Sequence, residues 1–177
     1  MPLNAGQYEL LEQLHATETS SEVSSEPPDP QALATLSRMG LCDTADDGSS
    51  APSLTSVAHD VLLYRGARTM SGPPPPLPGT LPDDGLEIRL MPYELRIVQT
   101  LVAIGDRLQH PPAAGLAEAV SNAGFHPDDN RWVLRVTKPQ AQSIAYAFHL
   151  ERFTGHCTAS NRLARHHDIR YEEDVVG

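Results

Sequence analysis

The sequence predicts an α+β fold, mostly helical and arranged as two modules. Three observations lead there: helical spacing of apolar residues in most segments, two short stretches with strand alternation, and a proline-rich break between the two sets. The break is SGPPPPLPGTLPDD, residues 71–84. Consecutive prolines lack backbone donors and fix φ, so it reads as an extended polyproline II spacer. Residues 1–69 then form one module, 70–85 the linker and 86–177 the second module. Charge divides at the same place. Residues 1–85 hold three basic and twelve acidic side chains, whereas 86–177 hold ten and eleven.

Asn4 followed by Gln7 is a capping-box spacing, and Tyr8, Leu11 and Leu14 continue along one face of a helix ending near His15. ATETSSEVSSEPPDP lacks periodicity and reads as an acidic loop. A second helix is expected from Pro30 to Met39, burying Ala32, Leu33 and Leu36. Gly40 supplies its left-handed cap, and Leu41 packs back behind it. Asp47-Gly48 marks a hairpin between two short extended pieces. Leu54-Thr55 leads into a third helix with Ala58, Val61 and Leu62 as its stripe.

In the second module Leu86, Ile88 and Leu90 alternate with Glu87 and Arg89, and Trp132, Leu134 and Val136 alternate with Val133 and Arg135. These segments are expected to pair as a two-stranded antiparallel sheet, with Glu87 offered to Arg131 or Arg135. Between them, Pro92 opens a helix whose stripe is Ile97, Val98, Leu101, Ile104 and Leu108. A shorter helix with Leu116, Ala119, Val120 and Ala123 follows, closed by Gly124-Phe125. Thr137 with Gln140 caps a helix running to about Phe153. That helix is apolar on two sides: Ala141, Ile144, Ala145 and Phe148 form one face, and Tyr146, Leu150 and Phe153 the other. A doubly apolar helix is buried on both sides or meets a partner, which makes Tyr146, Leu150 and Phe153 candidate partner-binding residues, including for a second copy of the chain. A last helix from Thr158 toward Asp168 carries a basic stripe of Arg162, Arg165, His166 and Arg170.

The order LATLSRMGL, polar hairpin, SLTSVAHDVLL resembles the bacterial winged-helix pattern over residues 3–65. There a helix ends in L-x-x-x-G-L, a wing follows, and L-T-x-x-G-x-x-L-L opens the next helix. Two departures stand out: the family's preceding helix is replaced by the acidic Ser/Glu loop, and Ala58 stands where glycine is usual. The resemblance implies DNA binding through the second helix and the wing, or use of the same scaffold for protein docking. Phosphate contact needs cations. The matching helix offers only Arg38, while Asp43, Asp46 and Asp47 lie in the wing and Glu18, Glu22, Glu26 and Asp29 in the loop. The favoured reading is therefore a non-enzymatic regulatory or adaptor protein acting through protein contacts. The alternative is a DNA-binding regulator using Arg38, Arg162, Arg165 and Arg170.

Chemistry is sparse. No phosphate-binding glycine loop, nucleophile elbow or H-E-x-x-H occurs. His149, His156, Cys157 and His166 are weak metal candidates because their spacing does not match paired zinc ligands. A metal-dependent hydrolase through His59-Asp60 or His167-Asp168 lacks the further ligands such enzymes require. No catalytic residue and no cofactor is expected. Cys42 and Cys157 read as free thiols. With no apolar run of about 18 residues and no apolar leader in MPLNAGQYEL, the expected location is the cytoplasm.

Overall fold

A computed structural model describes residues 2–19, 29–44, 51–70 and 85–154. Among them are six α-helices and two small antiparallel sheets, an α+β fold dominated by helix. None of the helices described is long and apolar enough to cross a membrane.

Helix α1 (Ala5–Thr19) starts on the expected reciprocal cap. The Gln7 N–H donates to Asn4 Oδ1 and the Asn4 N–H donates to Gln7 Oε1, each at 2.9 Å. The helix runs a full turn beyond His15, so Ala16 to Thr19, expected in the loop, are helical. Helix α2 (Pro30–Arg38) is capped by Asp29, whose carboxylate accepts from the Gln31 N–H at 3.0 Å. Gly40 has φ 70°, and the Leu41 N–H returns to the Leu36 carbonyl at 2.9 Å. A left-handed residue at that point is cheapest as glycine. Strands β1 (Cys42–Asp43) and β2 (Ser53–Leu54) pair antiparallel as the foot of the expected hairpin; its tip at Asp46, Asp47 and Gly48 lies outside the described residues. Helix α3 (Ser56–Met70) buries Val57, Ala58, Val61 and Tyr64, with Leu62 only half-buried at the margin.

In the second half β3 (Leu86–Leu90) pairs with β5 (Arg131–Val136) in the register Leu86 to Val136 and Leu90 to Trp132. Glu87 does face Arg135 across the ladder. Its carboxylate, however, bonds Arg89 on its own strand at 3.0 Å, and Arg89 also reaches Asp129 at 3.2 Å. The sheet has three strands rather than two. Gly124–His126, read as a helix cap with its apolar follower, is strand β4 on the other edge of β5, where Phe125 pairs with Trp132. Helix α4 (Pro92–Ile104) buries Ile97, Val98, Leu101 and Ile104 but stops at Gly105, so Leu108, expected on its stripe, is buried beyond a short 3-10 turn. The short α5 (Leu116–Ser121) buries Leu116 and Val120, with Ala123 past its end. Helix α6 (Lys138–Thr154) opens with the Thr137 N–H donating to Gln140 Oε1 at 2.9 Å.

The largest departure from expectation is the core. Two separately closed modules are not what the described residues build, because one hydrophobic cluster takes Leu11, Leu36, Val61 and Tyr64 from the first half and Ile88, Leu101, Leu134 and Phe148 from the second. Helix α3 packs against both α4 and α6. The second apolar side of α6 is consequently internal. Leu150 is fully buried and Tyr146 and Phe153 nearly so. These three candidate partner-binding residues are corrected to core. Leaving such side chains in water forfeits about 1.5–3 kcal/mol each, and the amino-terminal half supplies the cover. The Leu3 N–H and the Tyr8 hydroxyl both donate to the Phe153 carbonyl, at 3.0 and 2.7 Å. The expected final helix from Thr158 lies outside the described residues, as does the proline-rich spacer.

Candidate functional site

Three polar features stand out against this core: a buried seam between the halves, a groove between α1 and α2, and a cluster where α1 ends beside α3.

The seam is built on Asp60. Helical spacing places it three residues after Val57 and four before Tyr64, on the buried side of α3, and it is fully enclosed. A carboxylate there must have its oxygens satisfied. Asp60 Oδ1 accepts from the Gln109 N–H at 2.6 Å, and Oδ2 accepts from the His110 N–H at 3.1 Å and the Tyr146 hydroxyl at 2.6 Å. His110 Nδ1 stands 3.2 Å from the same oxygen. Nδ1 is also 3.3 Å from the Tyr146 hydroxyl, and in the tautomer that protonates it this nitrogen donates into the same group. One side chain of the first half thus fixes the loop after α4 and the middle of α6. One helical turn away, buried Glu151 repeats the device, accepting from the Tyr64 hydroxyl and from Arg68, each at 3.0 Å. Both carboxylates are buried, and the hydrogen bonds they accept tie the two halves together. The seam is architectural.

His149 lies beside it on α6, its ring stacked near Tyr146 and edge-on to Phe153. Burial, with Arg152 nearby, pushes its pKa down to about 4. Its ring packs among aromatic side chains of its own helix. His156, Cys157 and His166 lie outside the described residues.

The groove between α1 and α2 has a volume of about 450 Å³. Glu9, Gln13, Asp29, Gln31 and Thr35 line it, and its described lining contains no lysine or arginine. Arg38, the one cation of α2, folds back on its own helix, donating to the Ala34 carbonyl at 3.3 Å. The other nucleic-acid candidates, Arg162, Arg165 and Arg170, lie outside the described residues. Cys42 is buried with its Sγ 3.7 Å from the Leu33 carbonyl of α2, and burial raises its thiol pKa, with Asp43 adding to the effect.

The third feature was not found from the sequence. His15 and Glu18 are three residues apart on the last turn of α1 and share a face, and His59 meets them from the first turn of α3. One ligand atom of each lies within 4.8 Å of the others. His59 Nε2 is 3.3 Å from Glu18 Oε2, and the two imidazoles stand 5.1 Å apart, nearly perpendicular. Glu18 Oε1 accepts from the Leu54 N–H at 2.7 Å, which fixes the carboxylate against β2. The residue types, two imidazoles and one carboxylate, suit a divalent transition metal. The available signal was the H-x-x-E spacing. It was hidden because Glu18 fell in a stretch read as loop.

No characterised protein and no solved structure matches the chain. Residues 43–174 match the model of DUF6417, a family of unknown function, and the chain belongs to that family.

Proposed function

We propose that this protein is a non-enzymatic regulatory or adaptor protein that docks another protein through its amino-terminal half. The observation that carries this reading is the α1–α2 groove, open to solvent, lined by Glu9 and Asp29 and without a cation in its described lining. A duplex approaching this face would meet carboxylates, which repel phosphates and release no counterions. A positively charged protein segment would meet complementary charge, which raises its association rate and selects it over acidic competitors. The interior supports the same reading, since the enclosed carboxylates Asp60 and Glu151 are consumed by structural hydrogen bonds.

The test is fluorescence anisotropy at low salt with two probes, an Arg/Lys-rich peptide set and a random-sequence duplex. The basic peptides are expected to bind with salt-sensitive affinity, weakened about tenfold by Glu9→Arg/Gln13→Arg, which leaves the cap residues Asn4, Gln7 and Asp29 intact. Duplex binding that falls on Arg38→Ala, with no peptide binding, would replace this reading by the DNA-binding one.

A further inference from the structure

We infer that His15, Glu18 and His59 form a binding site for a divalent transition metal of the zinc class, clamping the end of α1 to the start of α3. This inference is independent of the docking groove. Four observations carry it. The first is the donor set itself: two imidazoles and a carboxylate are the ligands zinc, cobalt and nickel take, whereas calcium and magnesium prefer all-oxygen shells. The second is distance. With metal–ligand bonds of about 2.0–2.1 Å, neighbouring ligands of a tetrahedral ion stand about 3.3–3.4 Å apart. His59 Nε2 and Glu18 Oε2 already stand at 3.3 Å. The ligand atom of His15 lies within 4.8 Å of both, so a small ring rotation on the last helical turn closes the triangle.

The third observation is that Glu18 is held from behind. Its Oε1 accepts the Leu54 N–H at 2.7 Å, leaving Oε2 aimed at His59. Ligating carboxylates are typically oriented by such an outer hydrogen bond. The fourth is His15 Nδ1, a buried nitrogen with no hydrogen-bond partner among the described residues. Buried polar atoms are nearly always satisfied, and an exception beside two other ligand side chains points to a ligand. Three protein ligands leave a tetrahedral ion one further position, open to water or to a donor from a partner. The ion would join three elements, α1, the hairpin foot at Leu54 and α3, adding to the Arg65–Glu12 ion pair and the Glu18–Leu54 hydrogen bond already between them.

The experiment uses the untagged full-length chain, freed of metal by chelation and titrated with Zn²⁺ by calorimetry. One equivalent is expected to bind, and Glu18→Gln and His59→Gln are each expected to weaken it at least tenfold. In Glu18→Gln the new side-chain amide oxygen still accepts from the Leu54 N–H, so folding is preserved, as far-ultraviolet dichroism would check. Co²⁺ bound to the wild type is expected to give ligand-field bands without a thiolate charge-transfer band, and to broaden first the amide resonances of His15, Leu54 and His59. That placement needs no variant. Absence of saturable binding would overturn the inference. So would unchanged affinity in both variants, a thiolate band, or first broadening in the residues around Cys157 and His166.

Discussion

His59 and Asp60 adjoin on α3, and the two sides of the helix they face differ in every relevant property. Asp60 points inward, fully enclosed, with donors from the loop after α4 and from α6 on both its oxygens. His59 points outward into a half-exposed group with His15 and Glu18, where His15 Nδ1 lacks a hydrogen-bond partner among the described residues. Successive helical side chains diverge by about 100°, so a His-Asp pair cannot present both members to one site unless the helix end is distorted. The acid of this pair is spent on architecture, and the histidine is left for a ligand. The lesson is that a dipeptide suggestive of metal chemistry divides according to which side of its helix the core occupies.

The largest expected effect comes from breaking the inner side. Asp60→Leu removes the acceptor for two backbone N–H groups, the Tyr146 hydroxyl and the His110 ring. It should cost about 3–5 kcal/mol, the range for stripping a buried charged partner from its donors. Urea unfolding at neutral pH measures this. A loss under about 1 kcal/mol would mean that the seam is dispensable.

A somewhat smaller effect sharpens the contrast between histidines. His149 on the inner side has a folded pKa of about 4, below its ordinary 6.5, because burial disfavours the cation. Its unfolded form therefore takes up a proton first as pH falls. The contribution is intact above pH about 6.5 and is lost progressively down to about 4, amounting to about 3 kcal/mol. The stability of wild type relative to His149→Leu should decline over that window. A parallel pH dependence in both proteins would place His149 in water.

The local devices were legible in the sequence, because each is complete within a few residues. The caps at Asn4/Gln7 and Thr137/Gln140, the left-handed Gly40, the hairpin foot and the β3–β5 pairing stand where the residues suggested. Strand β4 escaped because three residues are too few to show alternation. What joins distant segments was less visible. Asp60 and Glu151 interrupt apolar stripes, and an acid in such a position is itself the sign of a buried partner, though nothing local says that the partners are Tyr146 and Tyr64. Likewise the doubly apolar α6 announced a covering element, and the composition break at residue 71 argued against the half that in fact covers it.

The central claim is that both halves form one cooperative unit through the core and the Asp60 seam. The chain carries a reporter in each half: the buried Cys42 thiol in the first and Trp132 in the second. Urea unfolding of a Cys157→Ser chain, followed by Trp132 fluorescence and by pulse labelling of Cys42, tests the claim most directly. The account predicts coincident midpoints and one transition. Exposure of Cys42 at a lower urea concentration than the Trp132 transition would contradict it, showing two modules that unfold separately.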